Sequence, residues 1–435
     1  MADLTSEFLG IRSPNPFWLA SAPPTDKAYN VNRAFEAGWG GAVWKTLGEA
    51  GPPIVNVSGP RYSAMHSNDR RVIGFNNIEL ITDRPLQTNL DEMRQIKKDW
   101  PDRALVASVM LPMNEETWAK YLPMIEDTGV DGFELNFGCP HGMSERGMGA
   151  AVGQVPEYIQ MATEWAKAAA SVPVIVKLTP NVANILPPAK AAQNGGADAV
   201  SLINTINSIM RVDYDSLTMY PTTDGMGTHG GYCGEAVKPI ALNMVAEIAR
   251  TKETHSLPIS GIGGITDWRD AVDFLALGAS NVQVCTAAMV YGFRIIDDLV
   301  DGLSNFLDDK QLKLDELIGK AVPSVTDWQY LNLNYVEKAV IDQDLCIQCG
   351  RCYSACEDTS HQAITHTVNG ERRFEVIDEE CVGCNLCVSV CPVDSCITMH
   401  QLTDGVDPRT GQAISQEKVN WTMHPNNPMR KTNEK

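Results

Sequence analysis

The sequence predicts an α/β protein made of a (β/α)8 TIM barrel and a small C-terminal domain organised by cysteines. Three observations predict it. Short apolar runs alternate with helical patterns eight times before about residue 300. The residues ending those runs are polar, as expected where barrel strands deliver their chemistry. Near the C-terminus the cysteines fall into two quartets of the same spacing. A doubly wound open sheet is the competing arrangement for the first part.

At 435 residues the chain is long enough for two domains. Hydrophobic residues make up 44% and charged residues 20%, the balance of a globular protein with a core. The formal net charge of −19 argues against a nucleic-acid groove or an anionic membrane as partner, while a basic protein surface would suit it. The opening Met1-Ala-Asp-Leu-Thr-Ser-Glu7 is acidic and lacks the apolar core of a signal peptide. No uninterrupted apolar run is long enough to span a bilayer, so a cytoplasmic location is expected.

The apolar runs are Phe17–Ala20, Ala42–Thr46, Leu105–Met110, Phe133–Phe137, Val174–Leu178, Ala199–Asn204, Pro258–Gly261 and Val282–Cys285. Helical patterns follow most of them, clearest at Glu115–Thr128, Pro156–Ala170, Glu235–Arg250 and Trp268–Leu277. The strand ends read Ala20-Ser21, Lys45-Thr46, Asn136-Phe137-Gly138-Cys139, Lys177-Leu178-Thr179, Asn204-Thr205, Gly263-Gly264 and Cys285-Thr286. In a barrel they converge on one face, bringing together two lysines, several amides and hydroxyls, and a thiol. A solvated surface charge is the alternative for each lysine, but Val174-Ile-Val176 ahead of Lys177 reads as a buried strand.

Phe133, Leu135 and Phe137 alternate with Glu134 and Asn136 at the period of a strand. Gly138 and Pro140 end it and leave Cys139 at the mouth of a loop containing Gly142, Gly147 and Gly149. A thiol there can give or take a proton under a mobile loop; a small buried cysteine fits the same pattern. Further on, Gly261-Ile-Gly263-Gly264-Ile-Thr266 follows strand seven and precedes a helix starting near Asp267. Its N–H groups, backed by the helix N-terminus, suit a phosphate, and Cys285-Thr286 would add donors. The spacing is not a dinucleotide fingerprint, and a tight turn without a ligand uses the same glycines. Residues 208–234 show little periodicity and suit a lid or a subunit contact.

Leu312, Leu314, Leu317 and Ile318 suggest an amphipathic helix, broken by Ala321-Val-Pro-Ser324. The expected domains are therefore 1–310 for the barrel, 311–335 for a linker, 336–400 for the cysteine domain and 401–435 for a polar arm. Cys346, Cys349, Cys352 and Cys356 have C-x2-C-x2-C-x3-C spacing, and Cys381, Cys384, Cys387 and Cys391 repeat it. This is the bacterial-type two-cluster ferredoxin run, with two 4Fe–4S clusters. Each cubane needs four thiolates, three from one quartet and the fourth from the other. One cluster would take Cys346, Cys349, Cys352 and Cys391; the other Cys381, Cys384, Cys387 and Cys356. A zinc ribbon uses pairs rather than quartets. Glu357 stands where proline often follows the fourth cysteine, and Cys396 reads as structural. The arm, basic at Arg430 and Lys431, would wrap a partner or be a disordered end.

These residues resemble the pyrimidine-binding, iron–sulfur subunits of bacterial NAD-dependent dihydropyrimidine dehydrogenases, and the C-terminal half of the eukaryotic enzyme. The resemblance runs from Phe17 to about Met399 and rests on Cys139-Pro-His-Gly-Met-Ser-Glu-Arg-Gly147, Lys177-Leu-Thr-Pro-Asn181, Asn204-Thr205, Gly263-Gly264 and the quartets. The class 1 dihydroorotate dehydrogenase barrel is a more distant likeness, without the C-terminal domain. The resemblance implies FMN, with Ser21, Lys45, Thr46, Asn136 and Lys177 at its ring and ribityl chain. Gly234, Gly263, Gly264, Cys285 and Thr286 would hold its phosphate end. Asn77, Asn136, Phe137, Gly138, Asn204 and Thr205 would bind the pyrimidine, with Asn76 an alternative to Asn77.

The implied reaction is reversible reduction of uracil or thymine to the 5,6-dihydro form, in pyrimidine catabolism. Hydride would pass from flavin N5 to C6, and Cys139 would protonate C5. The chain carries no Rossmann fingerprint, so the clusters are expected to lead to a partner subunit holding FAD and NAD(H). A heterotetramer around a dimer of barrels is implied. Two rivals stand beside this reading. One is a dihydroorotate dehydrogenase with an added ferredoxin domain, for which Arg146 is the candidate cation. The other is an electron carrier with an inactive barrel.

Overall fold

The computed structural model describes residues 2–49, 53–140, 142–143, 146–332 and 335–402. It divides into two compact units, Met1–Val325 and Thr326–Lys435.

The first unit is a closed eight-stranded barrel. Its strands are β1 (Phe17–Leu19), β2 (Gly41–Leu47), β3 (Ala104–Val109), β4 (Gly132–Asn136), β5 (Val174–Lys177), β6 (Ala199–Leu202), β7 (Ile259–Ile262) and β8 (Asn281–Val284). Neighbours around the ring follow chain order, with β8 beside β1, and every pair is parallel. A doubly wound sheet would reverse order at a switch point, so that arrangement is excluded. The expected helices appear at Glu115–Glu126, Pro156–Ala169, Lys238–Arg250 and Trp268–Ala276, the third preceded by a short 3-10 turn at Glu235–Val237.

Side-chain alternation explains the layers. Val174 and Val176 face the helices, and Ile175 and Lys177 face the axis. Below, the interior is apolar: Trp18, Val43, Val106 and Ile175 close on Phe8 and Ile11. Those last two come from a hairpin, Ser6–Phe8 with Ile11–Ser13, that stoppers the base. Higher up, the interior turns polar, with buried Ser108, Glu134, Lys177, Ser201, Ser260 and Gln283.

A second sheet is absent from the sequence reading. Strands Ile206–Ser208, Gly230–Cys233, Val72–Asn77 and Tyr62–His66 pair antiparallel in that order, drawn from the insertions after β2 and β6. The 208–234 segment is thus partly regular, and includes a two-residue ladder, Arg211–Val212 with Met219–Tyr220.

The expected helix across Leu312–Ile318 is corrected. A helix at Ile295–Lys310 ends at Gln311, which has φ 54°. A four-residue turn, Leu314–Leu317, follows. Leu314 and Leu317 are buried in the barrel's core, and Ala321 N–H donates to Ala276 O at 2.8 Å. The first half of the expected linker therefore belongs to the barrel.

In the second unit, Val336–Ile341 pairs antiparallel with Ile397–Leu402, and Ile364–Val368 with Glu371–Val376. Short helices Arg351–Glu357 and Leu386–Val390 each carry the third cysteine of a quartet. Of the expected arm, Gln401 and Leu402 complete a strand, and 403–435 lie outside the described residues. Among the described residues no helix is long and apolar enough to cross a membrane.

Candidate active site and cluster ligands

The strand ends open into a cleft lined from both the barrel and the antiparallel sheet. Lys45, Thr46, Asn136, Cys139, Lys177, Asn204, Thr205, Gly263, Gly264, Cys285 and Thr286 all line it, as do Ser21, Asn77 and Gly234. A bulge helps. The β2–β3 register shifts between Trp44 and Leu47, adding a residue to β2, and both Lys45 and Thr46 reach the cleft.

One wall is a relay of neutral side chains. Thr46 Oγ1 lies 3.2 Å from Ser21 Oγ and 2.9 Å from Ser108 Oγ. Asn136 Nδ2 donates to Thr46 Oγ1 at 2.9 Å. Asn136 Oδ1 accepts from Asn204 Nδ2 at 2.9 Å and from Gly138 N–H at 3.2 Å. Asn204 Oδ1 accepts from Thr205 N–H at 2.8 Å. A Cβ on Gly138 would come 2.3 Å from Asn204 Cβ, so only glycine lets those two amides meet. Gly138 therefore serves the site as a spacer.

Phe137 does not line the cleft. It sits one step out of phase with Asn136, is 2% exposed, and meets Trp118 edge-on at 6.3 Å. Its assignment to the pyrimidine is corrected: its side chain belongs to the barrel–helix core. The Asn76/Asn77 ambiguity also resolves. Asn77 lines the cleft, whereas Asn76 is buried and donates to Ser208 Oγ at 2.8 Å, pinning the start of the 208–234 segment.

Two ion pairs floor the cleft. Lys45 Nζ is 2.5 Å from Glu79 Oε1 and 3.6 Å from Asp26 Oδ2. Tyr62 Oη donates to Glu79 Oε2, and its phenol is raised by burial first and by Glu79 second. Lys177 Nζ is 3.1 Å from Glu134 Oε1, deep on the axis. Glu134 Oε2 accepts from Ser201 Oγ at 2.8 Å and Gln283 Nε2 at 3.0 Å. Glu134 and Gln283 were readable as inward positions of their strands. Glu79 and Tyr62 were not, because nothing in the sequence announced the sheet that carries them.

At the other end, Gly263 and Gly264 have φ 125° and 79°, and a Cβ on Gly264 would lie 2.7 Å from Lys238 Cβ. The helix behind them is less available than expected. Asp267 Oδ1 accepts from Arg269 N–H at 2.6 Å, and Asp270 Oδ2 from Thr266 N–H at 2.7 Å and Asp267 N–H at 3.0 Å. These carboxylates occupy the first N–H groups, so an anion's donors must come from the glycine main chain and the Cys285–Thr286 turn. Burial opposes the charge on Asp270, but Lys238 at 2.5 Å and those N–H groups hold its carboxyl below the usual range. Burial pushes the Cys285 thiol up to about 12, reinforced by Cys233 and opposed by Lys177.

Cys139 is 9% exposed and sits among Ile81, Met110, Met143 and Met148. Its carbonyl accepts from Ala150 N–H at 3.0 Å, and a Cβ on Gly149 would come 2.8 Å from that oxygen. His229 Nε2 lies 3.3 Å from Pro140 O, tying the cysteine turn to the antiparallel sheet. Arg146 is exposed and does not line the cleft.

The residues fit a flavin. The cleft has a glycine-lined end too close for side chains, a paired ammonium on its floor, and a buried carbonyl, Gln283 Oε1, with no hydrogen-bond partner among the described residues. The second unit fits clusters. Cys356 lines one small cavity with Cys381, Cys384 and Cys387, and Cys391 lines another with Cys349. Burial, with Cys346, Cys349 and Cys391 close by, raises the Cys352 thiol. Cys387 is pushed up to about 11, by burial first, with Cys381 and Cys384 adding to it. The first cavity holds all four cysteines of one expected set, and the second holds two of the other. No three such ligands close on a single metal ion among the described residues; a cubane takes one thiolate per iron around a wider cage. Cys396 is buried, with its Sγ 3.7 Å from Asp342 O.

Residues 3–307 match the family described as dihydroorotate dehydrogenase, and 339–399 the 4Fe-4S dicluster domain. The NAD-dependent dihydropyrimidine dehydrogenase subunit PreA of Escherichia coli (strain K12) is 39% identical over 401 residues, 92% of this chain and 96% of its own. The chloroplastic dihydropyrimidine dehydrogenase (NADP(+)) of Arabidopsis thaliana is 41% identical, across 70% of this chain and 73% of its own. The catalytic subunit of dihydroorotate dehydrogenase B (NAD(+)) from Pyrococcus abyssi is 33% identical over 73% of this chain and 99% of its own. A crystal structure of the Eimeria tenella dihydroorotate dehydrogenase superposes with a TM-score of 0.60 at 19% identity, over 74% of this chain and 92% of that one, a likeness of fold.

Proposed function

The chain belongs to the dihydroorotate dehydrogenase family and carries a 4Fe-4S dicluster domain, and from that premise we propose that it is the pyrimidine-reducing subunit of a dihydropyrimidine dehydrogenase. FMN would occupy the cleft and exchange hydride with C6 of uracil or thymine. The carrying observation is the electrostatics of the lining. Both lysines that line the cleft are paired with carboxylates, and the wall between them is neutral amide and hydroxyl.

A uracil ring alternates N–H and C=O, and Asn77, Asn136, Asn204 and Thr205 offer both donors and acceptors to it. Glu79 adds an acceptor for a ring N–H, and its pairing with Lys45 leaves that ammonium compensated. Orotate would need an uncompensated cation there, and Arg146, the rival's candidate, lies outside the cleft. Cys139 would hold a proton on Sγ for C5, and take it back in the oxidative direction. Its apolar neighbours would keep water away from that proton. The glycine-rich turn after it would act as the lid, with Met143 and Met148 as its seal.

The two clusters would carry electrons between the flavin and a partner subunit holding FAD and NAD(H), in a heterotetramer. The name of the Escherichia coli relative, a subunit, favours such a partner.

An anaerobic titration tests the reading. The full chain is reduced with dithionite, freed of excess, and mixed with uracil, thymine or orotate while the flavin band is followed. Reoxidation by uracil or thymine and not orotate is expected. Reoxidation by orotate alone would transfer the assignment to dihydroorotate chemistry, and none by any of the three would leave an electron carrier.

A further inference from the structure

We infer that Gln283 is an acceptor that reads the imide edge of the bound flavin, and that Glu134 is the positioning residue that aims it. The inference rests on the flavin reading above.

Gln283 is 1% exposed and lies on β8 at the cleft floor. A carboxamide nitrogen carries two hydrogens. Both are used: Nε2 donates to Glu134 Oε2 at 3.0 Å and to Ser260 Oγ at 3.0 Å. The carbonyl, Oε1, has no partner among the described residues. A buried amide oxygen left unpaired is costly, so its orientation needs a cause. Turning the amide over would not help, because it would set Oε1 against a carboxylate oxygen, two acceptors facing each other. Glu134 thus dictates which way the amide points.

The same carboxylate acts on its other side. Glu134 Oε1 takes Lys177 Nζ at 3.1 Å, while Ser201 Oγ supports Oε2 at 2.8 Å. One fully buried acid, at 0% exposure, therefore sets a donor and an acceptor together on the floor. The complement to that pair is a planar edge with an N–H beside a carbonyl or ring nitrogen. The pyrimidine half of an isoalloxazine presents such an edge, with an imide N–H at N3 between two carbonyls. A phosphate, which has acceptors only, does not offer it.

The test uses the full chain with its clusters in place, stripped of flavin and reconstituted, with binding read by quenching of flavin fluorescence. FMN and 3-methyl-FMN, which lacks the imide N–H, are compared. Wild type should bind FMN about 10- to 100-fold tighter, the span of one buried hydrogen bond. Gln283→Ala should bind the two within about threefold, as expected once the acceptor is gone. In Glu134→Gln the preference should shrink, because a neutral amide no longer forbids the flip. The flavin potential should move positive in that variant, because Lys177 loses its counter-charge.

Equal binding of the two flavins by wild type overturns the inference, and so does a preference that survives in Gln283→Ala. If Gln283→Ala does not fold, the two flavins on wild type still decide. A wild-type chain that takes up no FMN would sink the flavin reading itself, and is thereby told apart from failure of the inference alone.

Discussion

The two units solve the problem of a core differently. Among the described residues the barrel's main core gathers 60 buried apolar side chains between strands and helices, and Glu134 joins Lys177, Ser201 and Gln283 on its floor. Among the described residues the second unit has ten in its buried core, and four of them are Cys352, Cys381, Cys387 and Cys396. Three of those four are expected cluster ligands. The barrel is a fold that a cofactor can visit. In the cysteine unit, expected cluster ligands are themselves part of the buried core. Small domains lack the buried area to stand alone and lean on metals for it.

The largest effect should follow iron removal. Chelation should abolish the folded state of the second unit while the barrel keeps its circular dichroism and its flavin. Hydrogen exchange on Val336–Ile341 and Ile397–Leu402 reads this directly. Undiminished protection of that ladder without iron would erase the contrast.

The next test concerns chemistry placed on a stable frame. Cys139→Ala should slow pyrimidine turnover by about 10²- to 10⁴-fold, the usual worth of a positioned proton donor, with flavin and iron contents unchanged. Near-normal turnover would remove Cys139 from the reaction.

Phe137→Ala sharpens the distinction between floor and core one residue away from Asn136. Truncating a buried phenylalanine beside Trp118 should cost about 3–5 kcal/mol of stability, visible in Tm. The KM for uracil should stay close to wild type. A large KM effect with little change in Tm would return Phe137 to the substrate.

The smallest effect is alkaline. The Cys285 thiol is raised from its ordinary 9 to about 12, so folding favours its neutral form. That stability is complete below pH 9 and is lost as pH climbs toward 12. Each pH unit in that window is worth up to about 1.4 kcal/mol. Cys285→Ser should lose less Tm than wild type between pH 9 and 10.5, windows set by that shift. Parallel losses would show that the thiol does not titrate with folding.

Much of this is legible in the sequence alone. The eight strands declare themselves because buried parallel strands are continuous apolar runs, such as Val174-Ile-Val176 ahead of Lys177. The quartets declare themselves because cluster ligation fixes cysteine spacing. The antiparallel sheet stayed hidden for a physical reason. Its strands are short, half-exposed and interrupted by glycine and asparagine, as in Val72-Ile-Gly-Phe-Asn-Asn77, so neither run nor alternation stands out. With it went Tyr62 and Glu79. Phe137 parts from Asn136 for another reason: alternation along a strand end sends neighbours to opposite faces.

That antiparallel sheet has an evolutionary consequence. Asn77, Glu79 and Tyr62 arrive on insertions, whereas Lys177, Glu134 and Gln283 are welded into the barrel wall. Editing those two insertions would redraw the canopy of the cleft and leave the bonds of Glu134 to Lys177, Ser201 and Gln283 in place, while breaking the pair that Glu79 makes with Lys45. Substrate preference and flavin chemistry are thus open to separate change in one chain: the first through residues 48–103 and 203–234, the second through the strands themselves.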